Sequence, residues 1–578
     1  MRGWAAFLGG LVAPCLLGAL APLGLGCKRE ASPSASATIT AATLSVAVTA
    51  APATGDAPPV ELSKTKTLAA IAMHATVYAQ PADTSKKLGY LRLGAIVARS
   101  EKSYGTDGCR EGWYAVAPQG FVCVGKSASL AIDTPIVRAA SVRPDTSKPL
   151  PYFYGFVRSH APLYLRPPTK DEAHRTEFKL DEHLEWWSRR GKSANHIERL
   201  GANHAARELF PDAPEVPSPP AVGDGVLFGG TSDADPLPFW LEPGDRKIPN
   251  VSGFDVPPRA VFANRLHRHT GVAVVGSFIA GEWGDHRRFA VTVDMRLLPV
   301  DKLKPEVASA FHGVALDDRM RLPVAFAKPC DPNAKGTPKP CRHTYRDNQG
   351  TLTRTEEIVP TRGFLQLTGA ERINTAGSSA TRYFETSAGT WVSDHDVAVA
   401  AAPKEWPQAA QRGQRWVDVA IEEQTLVLWE GKKPVFATVV STGQDGLGDP
   451  KTTKSTPLGT FRVNSKHITA TMDSNGRGAQ SGGATPTAGE SASPTDDDKH
   501  AGDFELRDVP YVQYFHEGYA LHSAYWHDHF GIARSHGCIN LAPIDALRVF
   551  RFTEPSVPEG WHGTNVDPGK GTNIVVRR

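Results

Sequence analysis

Ser535-His536-Gly537-Cys538-Ile539-Asn540 is the most informative stretch of this 578-residue chain. It sets a cysteine in a glycine-containing turn, sixteen positions after the first residue of the pair His522-Ser523. A thiolate is strongly nucleophilic, and a neighbouring imidazole can remove the proton of the thiol. Gly537 lets backbone N–H groups approach a developing oxyanion closely. The stretch therefore predicts a cysteine nucleophile for acyl transfer, with a histidine as its base.

The wider sequence resembles the active-site region of the YkuD-type L,D-transpeptidases. The resemblance rests on His522-Ser523-Ala524-Tyr525-Trp526, on Ser535 to Leu541, and on four upstream segments in matching order: Trp416 to Val419, Gln424 to Leu428, Val440 to Gly443 and Thr456 to Phe461. It covers residues 412 to 578. It implies a mainly β protein, with a C-terminal β-sandwich or mixed β-sheet catalytic domain that carries a short helix.

The resemblance also implies a role for each matching residue. Cys538 is the nucleophile, and His522 is its general base and later the acid for the leaving amine. The main-chain carbonyl of Ser523 orients the imidazole. Ser523 replaces the glycine of many relatives, but a backbone contact tolerates that change. The backbone amides of Gly537 and Cys538 would form the oxyanion hole, and no cofactor is expected.

Other polar residues near the turn are assigned to the loop rather than to the chemistry. His536 competes for the role of base, but it lies two positions before the nucleophile, and we expect it to hold the loop with Ser535 and Asn540. Arg534 is either a contact for a substrate carboxylate or a solvated arginine. His527-Asp528-His529 resembles a metal cluster only superficially, because three adjacent positions rarely converge on one ion. We therefore expect no metal.

The implied reaction is a two-step acyl transfer on peptidoglycan stem peptides. The cysteine attacks the carbonyl of the L-centre of a diaminopimelate residue, expels the terminal D-alanine, and holds a thioester until an amine of a second stem displaces it. The product is a 3-3 cross-link. With water as the acceptor the same site would be an L,D-carboxypeptidase. A wall-binding scaffold with an inert catalytic domain is a third hypothesis.

The N-terminus has the pattern of an export signal. Met1-Arg2 is followed by apolar residues from 4 to 26, and Leu23-Gly24-Leu25-Gly26-Cys27 resembles a bacterial lipoprotein cleavage site. Lipidation of Cys27, ordinary signal cleavage and an uncleaved anchor are the alternatives. In the lipidated or cleaved forms the folded part lies outside the cytoplasm, in the periplasm or cell envelope. Residues 28 to 62 are rich in Ser, Ala, Thr and Pro, which predicts a disordered linker.

Composition limits the remaining possibilities. A net charge of +3 without a basic cluster argues against a nucleic-acid-binding protein. The length predicts three or four domains, and the oligomeric state stays open. Four cysteines form two close pairs, Cys109 with Cys123 and Cys330 with Cys341, which predicts two local disulfides and leaves Cys538 free.

Local patterns divide the rest of the chain. Residues 66 to 133 alternate short apolar runs with polar turns and resemble a bacterial SH3-type barrel, either a wall-binding module or a spacer. Residues 150 to 400 are unassigned but mostly β, with a strand at 271 to 279 and a possible second SH3-like unit near 258 to 303. Within the C-terminal domain, residues 472 to 503 predict a flexible insertion. Pro543 predicts the start of a short helix.

Overall fold

The computed structural model of the chain describes residues 61–194, 201–209, 237–242, 245–251, 256–257, 259–329, 342–375, 380–473 and 505–578. They belong to one compact unit, Pro58–Arg578. The export signal with Cys27, nearly all of the linker, the pair Cys330 and Cys341, and nearly all of the insertion lie outside the described residues. No helix within the described ranges is long and apolar enough to cross a membrane. The unit is mainly β, which confirms the predicted fold class.

The first seven strands form the N-terminal module, which we define as residues 62–129. Its strands are β1 (Leu62–Ala70), β2 (Ala75–Tyr78), β3 (Lys87–Leu91), β4 (Ile96–Ser100), β5 (Trp113–Ala115), β6 (Phe121–Cys123) and β7 (Ala128–Ser129). Strands β4, β1 and β7 make a three-stranded sheet, whereas β2, β3, β5 and β6 continue into a much larger sheet. A disulfide joins Cys109 to Cys123.

The next segment, up to residue 306, mixes strands with short helices. Its elements are α1 (Pro135–Ala139), β8 (Phe153–Val157), β9 (Ala161–Tyr164), α2 (Lys170–Thr176), α3 (Leu180–Ala194), α4 (Ala202–Leu209), β10 (Leu241–Glu242), β11 (Asp245–Arg246), β12 (Phe262–Leu266), β13 (Gly271–Ile279), β14 (Arg288–Thr292), β15 (Leu297–Pro299) and β16 (Leu303–Glu306). Two 3-10 turns span Gly281–Gly284 and Val300–Lys302. The predicted strand at 271 to 279 is confirmed.

A seven-stranded sheet follows, in the order β20-β19-β23-β22-β21-β18-β24. The strands of this segment are β17 (Val314–Ala315), β18 (Val324–Ala327), β19 (His343–Asn348), β20 (Thr351–Ile358), β21 (Phe364–Asn374), β22 (Thr381–Thr386), β23 (Trp391–Ser393) and β24 (Val397–Ala400). Strand β17 instead pairs with a strand of the C-terminal part.

The C-terminal part contains α5 (Gln408–Gln411), β25 (Arg415–Ala420), β26 (Thr425–Glu430), β27 (Lys433–Val439), β28 (Gly459–Arg462), β29 (Ser465–Asp473), β30 (Glu505–His516), β31 (Tyr519–Ser523), β32 (Ile539–Leu541), α6 (Pro543–Phe552), β33 (Gly563–Asn565) and β34 (Asn573–Arg577). A six-stranded sheet runs β17-β27-β26-β25-β34-β28. The predicted helix is confirmed, with Pro543 in its first turn, where a missing N–H costs nothing.

Both faces of the six-stranded sheet are buried. Because side chains alternate along β25, Val417 and Val419 pack against α6 and the strands β30 to β32. Trp416, on the opposite face, packs with Phe326 and Ala398 of the seven-stranded sheet. The six-stranded sheet therefore lies between the layer of α6 and β30 to β32, which carries the predicted site, and the seven-stranded sheet, which the sequence left unassigned.

The N-terminal module is joined to the C-terminal part by strand pairing. β3 pairs antiparallel with β33, with Gly89 opposite Thr564 and Tyr90 opposite Gly563. Trp561 is 2% exposed, packs in the core of the module, and its Nε1 donates to the Ala117 carbonyl at 2.8 Å. These contacts make the module continuous with the large sheet that includes β29 and β30.

Candidate active site

The predicted nucleophile and base come from two adjacent parallel strands. β31 and β32 pair in a register that sets His522 opposite Asn540 and Ser523 opposite Leu541. Cys538 directly precedes β32 and packs in the apolar cluster that includes Ala520, two residues before His522 on β31. Because side chains alternate along a strand, His522 lies on the same side of the sheet as Ala520 and therefore on the side of Cys538. Cys538 is a half-buried free cysteine. The register thus brings together two residues that are sixteen positions apart in the sequence.

The turn before β32 requires glycine. Gly537 has a φ of +120°, and a Cβ added there would lie 2.5 Å from a ring carbon of Tyr519. Thr456 fixes the turn from the other side, since its Oγ1 donates to the Gly537 carbonyl at 2.8 Å and accepts from the Gly443 amide at 2.9 Å. Two of the upstream segments with family-like sequences therefore hold the nucleophile turn.

Ser535 closes the turn with its hydroxyl. Its Oγ accepts a hydrogen bond from the Gly537 amide at 3.0 Å and donates to the Cys538 carbonyl. The Gly537 N–H is therefore already bonded in this conformation, and the oxyanion role predicted for Gly537 would require this N–H to leave the Ser535 hydroxyl. The reason is that the hydroxyl two residues earlier competes for the same donor. Of the two amides proposed for the oxyanion hole, that of Cys538 remains.

His522 is held as a neutral imidazole. It is 3% exposed, its Nδ1 donates to the Ser523 carbonyl at 3.1 Å, and the Trp526 ring stacks on it at a centroid distance of 5.7 Å. Burial lowers the pKa of His522 to about 4. With its proton on Nδ1, the imidazole keeps a lone pair on Nε2, which is what a general base needs.

Cys538 is held as a neutral thiol. Burial raises the pKa of the thiol to about 11, against the opposing effect of a backbone hydrogen bond at Ala520. Its Sγ lies 3.9 Å from the Gly518 carbonyl oxygen. Since burial disfavours both charged forms, the resting pair is a thiol beside an imidazole rather than a thiolate–imidazolium ion pair.

Ser535, His536 and Asn540, which the sequence analysis assigned together to the loop, differ in their burial in the structure. Asn540 is buried, and its side-chain amide nitrogen lies 3.0 Å from His527 Nε2. His536 is exposed, and partial burial followed by the charge of Lys454 lowers its pKa. Arg534 is exposed, while its backbone amide donates to the Thr442 carbonyl at 2.9 Å. His527 is therefore a further residue that holds the loop, and the loop-holding role of His536 stays a prediction.

The triplet His527-Asp528-His529 points to three different partners. His527 bonds to Asn540, Asp528 forms an ion pair with Arg362 at 2.5 Å, and the His529 carbonyl accepts from Ser441 Oγ at 3.0 Å. Within the described ranges, no group of three or more His, Cys, Asp or Glu side chains could hold a metal ion. The triplet therefore connects the loop to its surroundings in three directions.

Two tyrosines beside Cys538 were not predicted. Tyr514 packs in the same apolar cluster as Cys538, and Tyr519 covers the Gly537 turn. Burial raises the pKa of both hydroxyls, and a charge on Cys538 raises it further. The available signal was the tight turn at Glu517-Gly518 between two apolar runs, which predicts a hairpin but not its position over the cysteine.

Residues 414–576 match the family model YkuD, the L,D-transpeptidase catalytic domain. This match supports an L,D-transpeptidase-type domain at the C-terminus. No curated protein matches the chain.

Several solved structures are similar to the chain. A mutant L,D-transpeptidase from Enterococcus faecium is 20% identical over 28% of this chain and 49% of its own, with a TM-score of 0.19. L,D-transpeptidase 3 from Mycobacterium tuberculosis is 17% identical over 37% of this chain and 79% of its own, with a TM-score of 0.20. An L,D-transpeptidase from Mycobacterium smegmatis is 21% identical over 39% and 89%, with a TM-score of 0.20. The chain spans about half the length of the first of these proteins.

Proposed function

We propose that this protein is an exported cysteine L,D-transpeptidase that forms 3-3 cross-links between peptidoglycan stem peptides. The observation that supports the proposal most is the pairing of β31, which carries His522, with β32, which directly follows Cys538, together with the packing of Cys538 in the cluster that includes Ala520 of β31. The hydrogen bond from His522 Nδ1 to the Ser523 carbonyl supports the role of His522 as base. The family match at residues 414–576 supports the same reaction class.

In the first step Cys538 Sγ turns from the Gly518 carbonyl towards His522, and Nε2 takes its proton. The thiolate attacks the carbonyl carbon of the L-centre of diaminopimelate, so that a C–S bond forms and the carbonyl oxygen becomes an oxyanion. The Cys538 amide is the donor that meets this oxyanion. Because the resting pair is neutral and buried, the charges appear together, and their attraction at short range offsets the cost of burial.

In the second step the tetrahedral intermediate collapses. The bond to D-alanine breaks, its nitrogen takes the proton from His522, and a thioester on Cys538 remains. An amine of a second stem then attacks the thioester while His522 accepts the amine proton. When the C–S bond breaks, that proton returns to Sγ, and the new amide is the cross-link. Water in place of the amine would give the L,D-carboxypeptidase reaction.

The products separate these reactions. We expect the purified protein to convert disaccharide-tetrapeptide muropeptides into dimers whose mass lacks one D-alanine, detected by mass spectrometry. A Cys538→Ala variant serves as the control for background chemistry. Trimmed tripeptides without dimers would contradict the transpeptidase and favour the carboxypeptidase. If neither product forms, the result would favour the hypothesis of a wall-binding scaffold with an inert catalytic domain.

The same proposal places the protein in the cell envelope. Residues 1 to 27 export the chain, and a lipid on Cys27 anchors it to a membrane, although both lie outside the described residues. A Cys27→Ser variant should move from the membrane fraction to the soluble fraction. Ordinary signal cleavage predicts that the wild type is already soluble.

We also propose that the SH3-like module at residues 66 to 133 contributes to wall binding as a fixed part of the enzyme. The pairing of β3 with β33 and the burial of Trp561 in the core of the module support a rigid arrangement. Binding to purified wall sacculi is therefore best measured with the full chain. Sedimentation with sacculi that is unchanged by an excess of soluble stem peptide would indicate a binding surface outside the cleft.

A further inference from the structure

The loop between the base and the nucleophile, residues 524–534, is held from its outer side by another part of the chain. On its inner side, His527 Nε2 lies 3.0 Å from the Asn540 side-chain amide nitrogen, and the rings of His527 and Phe530 lie 4.8 Å apart. Asn540 pairs with His522 across the strands and follows Cys538 by two residues. Any displacement of this loop would therefore reach both members of the proposed catalytic pair.

The outer contact comes from Arg362, in the turn between β20 and β21 of the seven-stranded sheet. Arg362 has a φ of +62°, in the left-handed region that a residue with a side chain adopts only at a cost. Its Nε is buried and has no hydrogen-bond partner within the described part of the chain. The left-handed backbone and the buried Nε without a partner are both unfavourable. Other contacts must therefore stabilise an arginine at this position.

The compensating contacts of Arg362 all lead to the loop. Its Nη2 lies 2.5 Å from Asp528 Oδ2 and also donates to the Asp528 carbonyl oxygen. Its guanidinium lies 5.7 Å from the centre of the Phe311 ring, which stacks on Phe530 at 6.2 Å. One side chain thus binds the backbone and the side chain of residue 528 and rests on a ring that packs against residue 530.

We propose that Arg362 is a positioning residue for the His522–Cys538 pair. It holds Asp528, the immediate neighbour of His527, and so keeps in place the contact between His527 and Asn540, which lies two residues after Cys538. The seven-stranded sheet is then a required part of the catalytic unit rather than a spacer. The predicted change in kcat rests on the proposed function, whereas the predicted change in the reactivity of the Cys538 thiol does not.

The test compares Arg362→Ala with Arg372→Ala. Arg372 is a matched control on the same sheet, because it also forms an ion pair, 2.6 Å from Asp347, and lies 4.6 Å from the Trp391 ring, away from the loop. In Arg362→Ala we expect kcat to fall about tenfold with KM within about twofold, since geometry rather than binding is lost. Arg372→Ala should keep the wild-type values.

A second readout needs no substrate. Loss of the contact between His527 and Asn540 lets the segment that carries Cys538 shift and exposes the half-buried thiol further, so the thiol pKa moves down towards its ordinary value and iodoacetamide alkylation at pH 8 becomes about tenfold faster. The titratable hydroxyls that face the thiol, Tyr514 and Tyr519, are the same in every variant. Arg362→Lys, which restores one charged contact, should recover most of the wild-type profile, while Arg372→Ala should match the wild type.

Arg362→Gly separates positioning from stability. Glycine relieves the left-handed backbone strain, so Tm should stay within about 3 °C of the wild type while the alkylation profile shifts as in Arg362→Ala. An unchanged alkylation profile in both variants would overturn the proposal. A loss of activity that is fully explained by a lower Tm would also overturn the proposal. If no substrate is turned over but the alkylation profile shifts, the proposed function fails and the positioning role stands.

Discussion

Two buried polar clusters in this molecule are built in opposite ways. Around Arg287, every charge has a partner: its guanidinium donates twice to Glu177 and twice to Asp301 at 2.7 to 3.1 Å, with Arg287 7% and Glu177 0% exposed. Although burial alone would raise it, the charge of Arg287 and the bond from His183 bring the pKa of Asp301 down to about 2. At the His522–Cys538 pair, burial instead keeps both groups neutral.

The difference distinguishes a structural cluster from a reactive one. At Arg287 the ionised form is the stable form, and its stabilisation is present above the ordinary pKa of Asp301 and is lost as the pH falls towards 2. At Cys538 the neutral form is the stable form, and charge appears only during reaction. Each cluster therefore predicts which property, stability or activity, a substitution will change.

Removal of the nucleophile should give the largest change. Cys538→Ala is expected to lower the rate of cross-linking by at least about a thousandfold, because no other group can form the thioester. Since the Sγ contact with Gly518 is weak at 3.9 Å and alanine keeps the Cβ of this half-buried side chain, Tm should stay within about 3 °C. Muropeptide assays with thermal unfolding measure both quantities. Substantial residual activity would refute Cys538 as the nucleophile.

Removal of the buried charge of Arg287 should lower the stability and change the activity little. Arg287→Met leaves two carboxylates buried without their partner, and we expect a loss of about 3 to 5 kcal/mol in the free energy of unfolding. The activity per folded molecule should change little. Denaturant titration beside the activity assay tests this. A stable Arg287→Met variant would show that the two clusters do not differ as described.

The thiol of Cys538 should lose its proton only at high pH. Since burial raises the pKa of Cys538 to about 11, its alkylation by iodoacetamide should rise about tenfold for each pH unit from 7 to 10. A model thiol should level off above about 8.5 under the same conditions. Peptide mapping after timed alkylation gives the rate at Cys538. A plateau below pH 9 would indicate a preformed ion pair with His522.

The smallest change should come from Ser523. Its Oγ is buried without a hydrogen-bond partner in the described structure, and its contact with His522 is made by the backbone carbonyl. Ser523→Ala should therefore keep kcat within about twofold and leave the stability equal or slightly higher. A tenfold loss of activity would show that the hydroxyl, not the carbonyl, serves the imidazole.

Local sequence was sufficient for much of the catalytic part. Alternating Val417 and Val419 predicted a strand, Pro543 predicted a helix start, and Gly537 predicted a turn. These features depend on neighbours within a few residues. Their patterns are therefore visible in the sequence without any knowledge of the tertiary structure.

The remaining features depend on contacts between distant residues. Trp561 fills the core of the N-terminal module and bonds to Ala117, and Arg362 binds Asp528 across 166 positions. No periodicity or turn signal marks such partners. The use of the Gly537 amide by Ser535 was missed for another reason, because two acceptors compete for one donor and only geometry decides between them.

Intact-protein mass spectrometry of the acyl-enzyme tests the central claim most directly. The protein is mixed with a tetrapeptide donor whose free amines are acetylated, quenched in acid, and digested for peptide mapping. We predict an added mass equal to the donor minus D-alanine on the peptide that contains Cys538, and none in the Cys538→Ala variant. The same added mass on another residue, or in the Cys538→Ala variant, would contradict the account.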